Sequence, residues 1–315
     1  MLKILTKIIV IVPLAIIFFL IFTELTLKVY LADFYFRDAL FWKAQDNWPK
    51  TLESYNRVLK ILPRQYCYQY RFAQDLKDGL KFYSNTSSKV KILDLGIKRI
   101  ESIPKEQRTL RMIALQANMW TEKIHLLNGK DWSQAEKLYQ EAAKLSPKMA
   151  GIYNDWCQLK IYEENWKEAE YMCKKALSLY PPLDHPLMNE GHRQQVISEQ
   201  IKVYNKLGQI YQKQKEYDKA IKAWSTLLHL SPFQYHVHKK IADIYYLEGN
   251  FKRAIAENLH GFTLNPDDST WPFAVALLYK KMGNLPKARY FAKVALEISP
   301  EDEEIKQFLE KLIGR

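Results

Sequence analysis

In the second half of the chain, apolar residues recur at three- and four-residue steps, in pairs of short stretches. The clearest pair begins at Ile201. In IKVYNKLGQIYQKQ, Ile201, Tyr204, Leu207, Gly208 and Tyr211 fall on one stripe of a helix and polar residues fill the rest of its circumference. The next stretch, DKAIKAWSTLLHL, places Ala220, Trp224 and Leu227 on one face; Asp218 is the expected N-cap, and Pro232 blocks a further turn. Two helices are predicted to cross where Gly208 and Ala220 carry little or no side chain, because bulk there would push them apart.

The two-helix pattern repeats in register. Alanines at 135, 169, 220, 254 and 288 step by 34, 51, 34 and 34 residues, prolines at 147, 181, 232, 266 and 300 follow twelve residues later, and Trp132, Trp166, Tyr217, Phe251 and Leu285 precede by three. The step of 51 is one period plus a 17-residue insertion within PLDHPLMNEGHRQQVISEQ. A fixed period of this length marks a stacked-repeat architecture in which each helix pair buries its apolar face against its neighbours.

Residues 1–31 follow a different pattern. Ile8–Phe22, IIVIVPLAIIFFLIF, runs fifteen residues without a charge, which at about 1.5 Å per residue falls short of a roughly 30 Å hydrocarbon layer unless the apolar flanks contribute. Lys3, Lys7 and Lys28 can snorkel to head groups, and Pro13 is tolerable in a membrane helix. A cleaved signal peptide competes with an uncleaved anchor here, but no pair of small residues suited to cleavage follows Phe22. Lys3 and Lys7 ahead of the span, against Lys28 offset by Glu24 behind it, predict repeats outside the cytoplasm.

Composition narrows the class. With 48% apolar and 26% charged residues, and only 10 glycines and 13 prolines, the chain is predicted all-α with a large core. A net charge of +12 admits an anionic partner, although most lysines are scattered singly as solvated positions. Cys67, Cys157 and Cys173 form neither a disulfide framework nor a zinc spacing. The period puts Cys157 and Cys173 on the two helices of one unit, facing their crossing; they are either a disulfide, permitted outside the cytoplasm, or two buried thiols. No phosphate-binding loop, dinucleotide fingerprint, nucleophile elbow or HExxH occurs. His236 and His238 point about 200° apart on a helix and cannot share a metal unaided. Asp267, Asp268 and the run Glu301–Glu304 precede helix starts, where carboxylates complement the helix dipole.

Tyr204, Leu207, Gly208, Tyr211, Ala220, Trp224, Leu227 and Pro232 together resemble the tetratricopeptide repeat. Later units follow with Ile241, Ala242, Tyr245, Ala254 and Pro266, then Val275, Ala276, Tyr279, Ala288, Ala295 and Pro300. Earlier ones keep Ala135, Tyr139, Ala142 and Pro147, then Tyr153, Trp156, Ala169, Ala176 and Pro181. A weaker unit opens with Tyr35, Ala39, Trp42, Tyr55 and Pro63. The resemblance implies a tetratricopeptide-type α-solenoid of about seven antiparallel helix pairs. The expected organisation is an anchor over 1–31, divergent pairs over 32–115, repeat units with the insertion over 116–200, and regular units with a capping helix over 201–315. Asn258 and Gly261 depart from the pattern, where an aromatic and an alanine are usual, and predict looser packing of that helix. The junction LKVYLADFYFRDALFWKAQDNWPK is also similar to the C-terminal part of bacterial O-antigen ligase and polymerase proteins, whose catalytic membrane domain this chain lacks.

What the resemblance implies is a scaffold without catalysis, cofactor or metal, binding a partner along the concave row of first helices. Positions left free by the apolar stripes are Lys202, Asn205, Lys206, Gln209 and Lys213, then His236, Lys239, Lys240, Asp243 and Tyr246, then Phe273, Leu277 and Lys280. This mixture of basic and aromatic positions suits an acidic peptide or an anionic glycan, with nucleic acid not expected. The clamp by which some repeat proteins hold chaperone tails is disfavoured, because Trp120, Ile124 and Asp155 stand where it needs basic or asparagine side chains.

Overall fold

The structure, a computed structural model, describes residues 2–314, with side chains from residue 18 on, Ile313 excepted. Among the described residues there are fifteen α-helices, two short 3-10 turns and no strand. The first six helices are α1 (Leu2–Ala44), α2 (Trp48–Ile61), α3 (Tyr66–Asp78), α4 (Thr86–Glu101), α5 (Leu110–Leu126) and α6 (Ser133–Leu145). They belong to one compact unit, Met1–Pro147. The second unit, Lys148–Arg315, holds α7 (Ala150–Tyr162), α8 (Trp166–Leu179), α9 (Glu190–Lys213), α10 (Tyr217–Leu230), α11 (Tyr235–Leu247), α12 (Phe251–Leu264), α13 (Thr270–Lys281), α14 (Leu285–Ile298) and α15 (Glu303–Ile313). Successive helices pair into seven antiparallel hairpins with α15 closing the series.

Sequence punctuation sets these elements. Every second helix of the second unit ends two residues before a periodic proline, as at Leu179, Leu230, Leu264 and Ile298. Each turn within a pair passes through a left-handed residue: Glu164, Lys215, Gly249 and Gly283 all have positive φ. The next residue caps the second helix, with the Asn165, Asn250 and Asn284 side chains accepting from the backbone N–H three residues on. Glu216 occupies that place before α10 and makes no side-chain cap; Asp218, expected as the N-cap, lies inside the first turn because the helix begins one residue earlier, at Tyr217. Asp302 caps α15 through the amides of Glu304 and Ile305, in keeping with the carboxylates at that helix start. Half of the 17-residue insertion is not loop, since α9 begins at Glu190 and lengthens its helix by three turns.

The first unit is held by Tyr55, Phe72 and Leu76 around Ala39, and by Leu93, Ile97 and Ile100 against Met112 and Met119. Inside it the carboxylate of Asp75, 1% exposed, accepts from Tyr55 Oη at 2.5 Å and Lys43 Nζ at 2.6 Å, tying α1, α2 and α3. Burial and the Asp75 charge push the Tyr55 phenol far above its ordinary range. Among the described residues no helix is long and apolar enough to cross a membrane. Much of the segment expected as an anchor, Ile8–Phe22, lies outside the residues whose side chains are described.

The crossing of each pair in the second unit is filled by different residues. In α9/α10 a Cβ on Gly208 would stand 2.2 Å from Trp224 Nε1, so the absent side chain admits the indole. One unit earlier the same two positions are Cys157 and Cys173, both wholly buried and joined as a disulfide with Cα atoms 5.3 Å apart. One unit later they are Ala242 and Asn258, and in the last pair Ala276 and Ala292. Gly261, expected to loosen α12, is instead covered by Trp271 of α13, whose ring a Cβ there would meet at 2.4 Å. Leu227 and Val237 hold the corresponding places one unit earlier, so the loss of a side chain at Gly261 is matched by a larger one at Trp271.

Candidate functional site

Within the second unit, the first helices of successive pairs are α7, α9, α11 and α13. Their apolar stripes, Val203, Leu207 and Ile210 on α9 and Val237, Ile241 and Ile244 on α11, are buried against the second helices. The polar positions between stripes form a row whose members bond from helix to helix. Lys206 Nζ donates to the backbone carbonyl and to Oδ1 of Asn154, each at 2.7 Å, and Lys240 Nζ donates to Asn205 Oδ1 at 2.7 Å. Lys281 Nζ donates to Tyr246 Oη at 2.8 Å and lies 4.2 Å over its ring. Asn205, Lys206 and Lys240 therefore join neighbouring helices as well as marking the row.

Lys202 is exposed and paired with Glu199, Lys213 is exposed near the end of α9, and Gln209 is half-buried. Phe273 packs edge-on against Phe308 of α15, and Lys280 stands 4.9 Å over that same ring, so both are engaged by the closing helix. His236 is exposed; His238 faces Glu257 at 2.7 Å and stacks on His260. No group of three or more His, Cys, Asp or Glu suited to a metal occurs among the described residues.

The remaining four predicted positions, Lys239, Asp243, Tyr246 and Leu277, converge. They line a cleft of about 390 Å³ between α11, α12 and α13, whose other walls include Ala242, Ala254, Leu278 and Lys281 and whose lining also takes in Asn258. Asn258 lies in the cleft where the repeat pattern usually carries an aromatic. The preceding unit fills this column with Trp224, whereas the asparagine is short and donates its amide to the Ala254 carbonyl at 2.8 Å. Its departure from the repeat pattern was visible in the sequence; Lys281 was not, because the helical period alone does not show that it reaches back over Tyr246.

Partial desolvation by the neighbouring helices shifts the titrating groups of the row, although His236 and Asp243 stay exposed. It raises the Asp243 carboxyl, an effect Lys239 partly offsets, and lowers the Lys240 ammonium. It also lowers His236, to which the Lys240 charge adds. Lys239 and Lys281 against Asp243 leave the cleft net cationic. The arrangement can bind through apolar contact and charge; no nucleophile paired with a base stands in it.

Residues 201–233, from the middle of α9 to just beyond α10, match the tetratricopeptide repeat family model. Two solved structures share the fold. The C-terminal part of a tetratricopeptide repeat-containing protein from Cytophaga hutchinsonii superposes with a TM-score of 0.58 at 18% identity, over 87% of this chain and 99% of that one. A tetratricopeptide repeat protein from Parabacteroides merdae gives 0.53 at 14%, over 90% and 99%. The human protein O-mannosyl-transferase TMTC1 is 25% identical over 191 residues, 58% of this chain. The chain spans about a fifth of that relative's length (19%).

Proposed function

We propose that this chain, which carries tetratricopeptide repeats, is a membrane-anchored scaffold holding an extended acidic protein segment along the first-helix row of its second unit, with no catalysis of its own. The observation that carries this reading is the meeting of Lys239, Asp243, Tyr246 and Leu277 with Lys281 around one cleft, in line with Lys202, Lys206 and Lys240 on the same row. Such a surface offers apolar anchorage and a cationic rim, the combination that gives a binding site both affinity and steering. Anchoring is supported by Ile8–Phe22 and by the exposed side chains of Phe18, Phe19, Leu20, Ile21 and Phe22 on α1. A repeat unit outside the cytoplasm is supported by the Cys157–Cys173 disulfide, a bond that persists in oxidising compartments.

Crosslinking in membranes, followed by capture and mass spectrometry, tests the scaffold. Lys202→Glu, Lys213→Glu and Lys239→Glu together reverse exposed charges while leaving Lys206 and Lys240 in their bonds; capture of the partner is expected to fall, with the thermal midpoint held. Unchanged capture at unchanged salt sensitivity refutes the row as the site.

A second reading, an accessory role in envelope polysaccharide assembly, is favoured by the junction following the apolar segment and by the partial likeness to a mannosyl-transferase. Loss of surface glycan on deleting the chain, with no protein captured, supports it.

A further inference from the structure

Building on that scaffold reading, we infer that the α11–α12–α13 cleft receives an aromatic side chain of the bound segment, flanked in the partner's sequence by carboxylates. The neighbouring units supply the argument. Where α9 and α10 cross, Trp224 fills the column from within, wholly buried; where α7 and α8 cross, a disulfide closes it. Asn258 leaves the same column open, and the resulting cleft of about 390 Å³ is walled by Ala242, Ala254, Leu277 and Leu278. Ala242 also replaces Gly208, whose bare backbone was what admitted an internal indole. An indole seated as Trp224 is would meet the Ala242 methyl, whereas a ring can enter from the solvent side, against alanine and leucine walls.

The rim gives the partner's charge. Lys239 and Lys281 border the opening, and Lys281 is already held over Tyr246 with its ammonium on the phenol. An aromatic with an acidic neighbour on either side places carboxylates beside these two cations. Asn258 brings one amide to a lining otherwise apolar between its charged edges, which suits a side chain with a single polar atom, as indole and phenol have, and suits poorly a sugar with hydroxyls all round.

The test uses the full chain in detergent micelles, with empty micelles as blank, and the peptide Gly-Glu-Trp-Glu-Gly-amide carrying fluorescein on its N-terminal amine, read by anisotropy. The tryptophan peptide is expected to bind at least about tenfold more tightly than its alanine counterpart, and more tightly than the version with lysines for glutamates. Asn258→Phe, which fills the cleft, is expected to abolish the preference for tryptophan; Leu277→Glu on the exposed rim gives the same loss without touching the buried crossing. Lys239→Glu with Lys281→Glu is expected to abolish the preference for glutamate. Equal binding of the tryptophan and alanine peptides overturns the inference, as does a preference that survives both Asn258→Phe and Leu277→Glu. An oligogalacturonate that binds more tightly than the tryptophan peptide overturns it in favour of a glycan. If membrane capture still depends on the row lysines while the peptides do not discriminate, the cleft assignment fails and the scaffold stands; if nothing is captured, the scaffold reading fails as well.

Discussion

Gly208→Ala is the sharpest test of how the second unit is packed, because two opposed effects of known size meet at one carbon. Exchanging an interior helical glycine for alanine normally stabilises by about 1 kcal/mol, through lost freedom of the unfolded chain. Here the new methyl would lie 2.2 Å from Trp224 Nε1, 2.4 Å from Cε2 and 2.6 Å from Cδ1. The indole is wholly buried, packed with Cys173, Leu207 and Ala220 in one cluster, and is rigid, so relief requires moving the ring or parting the helices. Overpacking of this kind costs roughly 1–3 kcal/mol. The larger effect wins, and a net loss of about 1 kcal/mol, or a few degrees in thermal midpoint, is expected. Gly151→Ala is the internal control. It sits in the first turn of α7, where a Cβ meets nothing within 4 Å, so only a smaller propensity gain operates and the midpoint does not fall. Circular-dichroism melts of both variants beside the parent decide the matter. A Gly208→Ala protein as stable as Gly151→Ala would mean that Trp224 does not occupy the crossing.

Three further outcomes follow from particular residues. Glu216→Asn supplies the cap that Asn165, Asn250 and Asn284 give the other pairs, and is expected to raise stability by about 0.5–1 kcal/mol in denaturant titrations; no gain would count against the cap geometry. Denatured protein without reductant is expected to alkylate at Cys67 alone, while reduction exposes Cys157 and Cys173 and lowers stability by up to about 3 kcal/mol for a loop of 16 residues; three reactive thiols without reductant would exclude the bond. Partial desolvation, partly offset by Lys239, raises the carboxyl of the exposed Asp243 in the folded state, so its favourable contribution is complete below the ordinary carboxylate pKa and is lost as pH rises through the raised value. Asp243→Asn is therefore expected to be the more stable protein at neutral pH, with the two melts converging on acidification; a constant gap across pH would refute the assignment.

What was legible in the sequence was whatever repeats. The alanine, aromatic and proline columns located helix starts, crossings and stops because each acts through local chemistry: a missing side chain, a first-turn anchor, a lost N–H. An asparagine column, Asn165, Asn250 and Asn284, was equally present and would have corrected the cap expected at Asp218. The insertion hid its helix because residues 190–200 are polar but for Gly191, Val196 and Ile197, and only Val196 is buried, which leaves no stripe to read. The row was legible as a set of positions but not as a site. Periodicity says that Phe273 and Lys280 share a face with Leu277; only the folded structure brings α15 onto the first two while Leu277 remains at a cleft.

The crossing column joins fold to function more directly than the basic row does. Four pairs answer one steric problem, how two helices fill the space where they meet, with Cys157–Cys173, Gly208–Trp224, Ala242–Asn258 and Ala276–Ala292. The first two fill the space covalently or with a ring, and the last lies in the cluster that includes Phe308 and Leu309 of α15. Ala242–Asn258 has no such filler, yet the unit around it stays ordered because Trp271 covers Gly261 one turn along. Stability is thus supplied beside the cleft rather than within it. A repeat array tolerates this because each unit is supported by its neighbours, so one pair can leave apolar walls open without unfolding the rest. The departure at Asn258 is for that reason a better guide to binding than any residue that conforms to the repeat.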